Sequence, residues 1–336
     1  MTTTQQPRHG PQRAAPSTPP RAPASVRRTT SIDVTRPDGL TGRVVAVVAG
    51  QDLATDAGGH SSVVRRFAVD VAVEPDTGAI LGFDGRDGTT DVADVTDLAD
   101  LVGASLRSGF GRRLASALPD EAESRSLRYS LLEDLAGGFL VSGYAPLRAG
   151  LLVGDPATGK ERARHQADIC IGWADGGPVH RALAEEGHTA VPTGPAAPAL
   201  ERDDPAGWHP LAPLGHGTVR RRRRLDVARA PTGRGLRAQS HFRDSYAGDE
   251  PEMVMHEYAV DAVIDDDRIA GIEVDPRVLP WQACPGAVAS AQRVVGVPLD
   301  DLAGHARTEL VGVSTCTHLT STLRCLADVR ALARLT

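Results

Sequence analysis

His256 to Asp275 reads HEYAVDAVIDDDRIAGIEVD, and Arg65 to Asp84 reads RRFAVDVAVEPDTGAILGFD. In each, a run rich in β-branched and aromatic residues is followed by turn formers (IDDDR, EPDTG) and a second short apolar run, the pattern of a β-hairpin. The likeness extends upstream, where RRTTSIDV at Arg27 to Val34 precedes the first hairpin and RRRRLDV at Arg221 to Val227 precedes the second. Asp70 aligns with Asp261 and Asp84 with Asp275, both 191 positions on, and Asp33 aligns with Asp226, 193 positions on. A near-constant offset over three landmarks marks an internal repeat. After each hairpin, apolar residues recur at helical spacing, over 98–118 and 127–135 in the first copy and over 287–302 and 319–335 in the second. Strands first and helices after predict an α+β fold of two pseudo-repeated lobes, each an antiparallel sheet with helices packed on one face.

The chain has 336 residues, 41% of them hydrophobic, which suffices for a core in each of two lobes. Residues 1–26 carry almost no large apolar side chains and read as a disordered tail. The N-terminal lobe is then 27–149, a Pro/Gly-rich connection runs over 150–216, and the C-terminal lobe is 217–336. Such a pseudo-dimer within one chain is expected to be a monomer. A formal net charge of −6 gives no global attraction to nucleic acid or to an anionic membrane, so neither is expected as a partner. The chain holds no run of about eighteen apolar residues and its N-terminus has no apolar signal-peptide region, so a cytoplasmic protein is expected. The four cysteines, Cys170, Cys284, Cys316 and Cys325, are then expected as free thiols, core residues or metal ligands rather than disulfides.

Three motifs invite a chemical reading and are better explained otherwise. Gly154 to Lys160, GDPATGK, spells most of a phosphate-binding loop, but Glu161 stands where a Ser or Thr should meet magnesium, so a plain Gly/Pro loop is expected. The five arginines Arg220 to Arg224 have only Arg27 and Arg28 as counterparts, and a solvated strand edge is the expected place for them. His165, Asp168 and Cys170 lie close in sequence, with Cys170 expected in packing beside Ile169, Ile171 and Trp173.

The C-terminal lobe is different. Cys284 falls between the hairpin and the following helix, in LPWQACP, and Cys316 and His318 open the closing helix in STCTHLT. A thiol at a helix start feels unpaired N–H groups and the positive end of the macrodipole, which favour thiolate. Residues two apart on a helix point about 200° apart, so Cys316 and His318 face one ligand only if Cys316 lies in the non-helical cap. Cys325, nine residues on, is expected in packing on the other side. The first lobe has no cysteine, so any such site belongs to the second lobe alone. The competing reading makes the three cysteines small core residues and His318 a capping residue.

The segments HEYAVDAVIDDDRI, LPWQACPGAVASAQRVVG and VSTCTHLTSTLRCLADV resemble the bacterial family catalogued as domain of unknown function 2889, through Cys316-Thr317-His318-Leu319 above all. That resemblance implies no assigned activity. The order of hairpin, loop cysteine, helix opening Ala-Ser-Ala and closing helix with Cys and His also resembles, more distantly, the iron–sulfur scaffold proteins of the IscU/NifU and SufE fold. That likeness implies a cluster or zinc held by cysteines, with Cys284 and the Cys316/His318 pair in matching positions and His256 nearest to the unmatched first cysteine.

The leading expectation is therefore a metal-binding or sulfur-handling protein whose ligands are Cys284, Cys316, His318 and His256. Zinc or iron is the expected ion, since thiolate and imidazole suit both, and a small molecule or a metal-handling protein is the expected partner. Two alternatives stay open. One is a small-molecule enzyme of catabolism with Cys316 as nucleophile and His318 or His256 as base; the other is a non-catalytic pseudo-dimeric binding module.

Overall fold

Two four-stranded meanders meet edge to edge in a single antiparallel sheet of order β4-β3-β2-β1-β5-β6-β7-β8. The computed structural model describes residues 9–85, 95–152, 156–230, 233–248 and 251–335. Its strands are β1 (Ser25–Thr35), β2 (Val44–Thr55), β3 (Ser61–Val73), β4 (Ile80–Gly85), β5 (Thr218–Arg229), β6 (Leu236–Ala247), β7 (Met253–Asp265) and β8 (Arg268–Val278). The helices are α1 (Phe110–Ala117), α2 (Pro119–Ser124), α3 (Leu127–Val141), α4 (Tyr144–Arg148), α5 (Pro156–Gln166), α6 (Pro178–Glu186), α7 (Leu299–Glu309), α8 (Thr317–Arg324) and α9 (Val329–Ala333). Among the described residues no helix is long and apolar enough to cross a membrane.

The α+β class holds, with a difference in how the halves join. The expected lobes are not separate sheets, because β1 and β5 hydrogen-bond to each other along their length, with Thr30 opposite Arg223 at the middle. Arg27 lies opposite Asp226 and Asp33 opposite Arg220, and both pairs form ion pairs, at 2.6 Å each. The halves share detail as well as order. A break in register after Asp52 of β2 is matched by one after Asp244 of β6. The hairpin turns differ, however: Ile80 pairs with Val73, whereas Asp266 and Asp267, both at positive φ, make a tight two-residue turn before Arg268. The shorter turn shifts the pairing, so Asp70 faces Asp84 but Asp261 faces Glu273 rather than Asp275.

Alternation along the strands splits the side chains between two faces. On one face each half has its own apolar cluster. Val34, Val48, Val69 and Val71 pack with Leu114 of α1 and Leu131, Leu132 and Leu135 of α3. Phe242, Tyr258 and Val260 pack with Leu302 of α7 and Leu319 and Leu323 of α8.

The other face is covered by segments expected to be a tail and a plain connection. Ala15 N–H donates to Glu257 Oε1 at 2.7 Å, Thr18 N–H to the Leu200 carbonyl at 2.8 Å, and Trp208 Nε1 to Thr18 Oγ1 at 3.1 Å. Ala15, Leu200 and Trp208 form a small apolar cluster of their own. Residues 9–24 thus lie across the sheet through backbone hydrogen bonds that a count of apolar side chains does not register; residues 1–8 lie outside the described ones. The phosphate-loop look-alike also resolves, for residues 154 and 155 lie outside the described ones while Gly159 and Lys160 sit inside α5. A Cβ on Gly159 would stand 2.3 Å from the Leu183 carbonyl oxygen, so this glycine lets α5 approach α6.

The arginine run is central and buried, not a solvated edge. Arg221 and Arg223 point toward the helices and share Asp134 of α3, at 3.2 and 2.6 Å. Arg220, Arg222 and Arg224 turn to the other face and meet Asp33, Glu201 and Asp226. A buried guanidinium is tolerated only where carboxylates and carbonyls meet it, and α3, β1 and Glu201 bring carboxylates to these arginines.

Candidate metal centre

Asp244, at the register break of β6, lies directly across from His256 of β7. Its carboxylate is fully buried and is gripped by Arg221, Nε to Oδ1 at 2.8 Å and Nη2 to Oδ2 at 3.0 Å. Gly137 of α3 makes this possible: a Cβ there would stand 1.9 Å from Arg221 Nη1. Burial by itself would raise the Asp244 carboxyl; Arg221, with His256 beside it, outweighs that and holds the group well below the usual carboxylate range.

His318 is delivered by α8. Cys316 is the extended N-cap residue of that helix, so it does lie in the non-helical cap, and its carbonyl accepts from Thr320 N–H at 2.8 Å. The turn before it is tied down by Ser290 Oγ to Thr315 Oγ1 at 2.9 Å and by Ile171 N–H to the Thr315 carbonyl at 2.9 Å. His318 stacks on His256 with ring centroids 3.8 Å apart, and its Nε2 stands 3.6 Å from Asp244 Oδ2. His256 Nδ1 stands 3.5 Å from the same oxygen and makes no hydrogen bond. One ligand atom from each of Asp244, His256 and His318 lies within 4.8 Å of the other two. Burial first, and then His256, Arg221 and Arg223, push the His318 imidazole well below its ordinary value and keep it neutral, with Asp244 acting in the opposite sense. A His318 imidazole held neutral and an ionised Asp244 carboxylate are each in the protonation state that a metal ligand requires.

The cysteines fall on the far side of this group. Cys316 Sγ is 3.7 Å from His318 Nδ1, but the residue is only 4% exposed, and burial raises its thiol. Cys284 is buried too, packed with Gly172 near Cys170, and joins none of the metal-competent groups found among the described residues. Burial pushes the Cys170 thiol up to about 11. All three sulfurs neighbour the buried Tyr258 hydroxyl. Cys325 ends α8 with its thiol donating to the Ser321 carbonyl at 3.3 Å. His165 and Asp168 are exposed, apart from the site.

His256 and His318 are thus brought together, with Cys316 alongside and Cys284 displaced toward the core. Asp244 is not among the residues that sequence pattern marks, for nothing in SHFRDSY sets it apart. The likeness between the halves is the signal that points to it. Arg28 and Asp52 form a two-pronged pair, at 2.7 and 2.9 Å, that matches Arg221 and Asp244 at offsets of 193 and 192.

His318 and Arg221 form part of the wall of a cleft of about 430 Å³ between α1 and α3 of one half and α7 and α8 of the other. No curated protein and no solved structure matches the chain. Residues 219–332, which contain Asp244, His256, Cys284, Cys316 and His318, match the model of a family described as a protein of unknown function, DUF2889.

Proposed function

We propose that the protein binds one divalent transition metal ion through Asp244, His256 and His318 and uses it on a small molecule admitted through the adjoining cleft. The observation that carries this reading is the mutual approach of the three ligand atoms, with His256 Nδ1 buried and without a hydrogen bond. Arg221 does not compete for the whole carboxylate, because an ionised Asp has about four lone-pair directions and the guanidinium takes two. A hydrogen-bonded carboxylate is the usual outer support of such a ligand. Two imidazoles and one carboxylate suit zinc with an open position or iron(II). Bound there, the ion would supply Lewis-acid charge at the cleft floor. This set differs from a cysteine-rich scaffold site in placing the thiols behind the ligands.

The two halves read as an internal duplication, a pseudo-dimer closed through β1 and β5. The shared offset, the matched register breaks and the paired Arg27–Asp226 and Arg220–Asp33 contacts support it.

Chelator-treated protein titrated with zinc or with iron(II) under anaerobic conditions is expected to take up one ion per chain. His256→Ala and His318→Ala are expected to abolish uptake, and Cys284→Ser and Cys316→Ser to leave it intact. Uptake lost in the cysteine variants and kept in the histidine variants would move the site to the thiols. A second reading rests on the line Cys316 Sγ, His318, Asp244, the order of a thiol nucleophile, base and orienting carboxylate. It requires Cys316 to react with a thiol reagent in native protein near neutral pH, whereas burial predicts labelling only after unfolding.

A further inference from the structure

We infer that the cleft beside His318 is a binding site for a small organic carboxylate with an apolar body. The inference rests on the cleft being the working face of the proposed metal centre, but not on the ion itself. Three cationic side chains stand on its walls: Arg112 from α1, Arg307 from α7 and Arg324 from α8. A single carboxylate, Glu133, faces them and pairs with Arg307, with Arg324 at 3.4 Å and with Arg125 at 3.0 Å. Burial would raise Glu133, yet these arginines hold it down at about 2, so it stays a fixed anion already spoken for. Arg112 is exposed and has no carboxylate partner among the described residues. The fourth arginine, Arg221, is neutralised from behind by Asp244 and Asp134. Positive charge therefore remains unanswered at the mouth of the cleft.

Part of the lining is apolar. Ala115 of α1 and Ala136, Leu140 and Val141 of α3 form it, and Leu140 is 63% exposed, a large hydrophobic left open to solvent. An exposed apolar side chain and a guanidinium without a carboxylate partner in the lining of one cleft are the pattern of a site for an amphipathic anion. The planar fork of arginine suits a carboxylate, and the volume falls in the range of small-ligand pockets. With its head on Arg112 and its body on Leu140, such a ligand would lie against His318. Inorganic phosphate offers the charge without the body.

The test uses the full chain, chelator-treated and again loaded with zinc, titrated calorimetrically with benzoate, with benzyl alcohol and with inorganic phosphate. Benzoate is expected to bind at least about tenfold more tightly than either of the others in both preparations. Arg112→Glu is expected to weaken benzoate by about tenfold or more without changing the thermal unfolding midpoint, and Arg13→Glu on the far side is expected to change nothing. Phosphate binding as well as benzoate, or benzoate indifferent to Arg112→Glu, would overturn the inference. The two proposals separate in His256→Ala: benzoate retained with metal lost upholds this one, whereas wild type that holds metal but not benzoate sinks it alone.

Discussion

Asp52 and Asp244 occupy the same place in the two halves and are held the same way. Arg28 grips the first and Arg221 the second, each through two hydrogen bonds. Each arginine then reaches across to an aspartate from the other half: Arg28 to Asp328 at 2.9 Å and Arg221 to Asp134 at 3.2 Å. The contrast lies one strand further on. Register places Arg65 opposite Asp52 and His256 opposite Asp244. Arg65 adds a second positive charge at 3.7 Å and is half exposed, and that charge opposes a metal ion there. His256 adds an imidazole, and α8 adds His318. The same frame of buried ion pairs thus serves as a clasp between halves in one place and as the support of a candidate site in the other.

The largest expected effect tests whether the clasp is shared. Arg28→Met and Arg221→Met each strip one buried carboxylate, Asp52 or Asp244, of its paired hydrogen bonds and are expected to cost about 3–5 kcal/mol in denaturant unfolding. A loss below about 1 kcal/mol in one half only would break the equivalence.

Acid separates the halves next. In the second half, His241 and Glu257 stand where the first half has Ala49 and Arg66. Burial lowers the His241 imidazole to about 4, although Glu257 pulls it the other way. Because its folded value lies below its unfolded one of about 6.5, the unfolded chain binds more protons in between, and stability is lost as pH falls from about 6.5 to about 4. Glu257 is held at about 2 against burial by His241 and Arg243, and its contribution is lost on further acidification toward that value. His241→Gln is expected to flatten the first part of a stability–pH curve by something on the order of 2 kcal/mol, read from unfolding midpoints between pH 4 and 7. An unchanged curve would show that acid does not enter through this half.

The smallest effect on stability is the sharpest on function. His256→Arg rewrites the second half as the first, and it is expected to abolish metal uptake while changing unfolding free energy by no more than about 1 kcal/mol. The reverse change, Arg65→His, is expected to create no site, for metal uptake measured in the His256→Ala background should stay at zero.

Much of the architecture was readable because the two halves carry similar hairpin patterns. The hairpins at 65–84 and 256–275 carried both alternation and turn chemistry, and Asp33 with Asp226 gave the offset that later proved to be a pair of interlocking ion pairs. Arg220 to Arg224 misled because charge in a strand ordinarily signals solvent; here the partners on α3 and on the first strand lie 89 and 187 residues away. Residues 9–24 misled for a related reason, since their hold on the sheet is made by backbone groups and by Glu257, not by apolar side chains.

The candidate site divides in the same way. His256 and His318 stood out as histidines near turns and caps, and Cys316 as the residue before a helix. Their grouping with Asp244 needs β6 to pair with β7 and α8 to lie over both, and the withdrawal of Cys284 into the core follows from where its loop packs. Local pattern determines which segments become strands and helices, because period and turn chemistry act over a few residues. Which side chains share one point in space is decided by pairing between segments far apart in the chain, and so sequence pattern marks two of the three residues of the candidate site while only the folded sheet brings in the third.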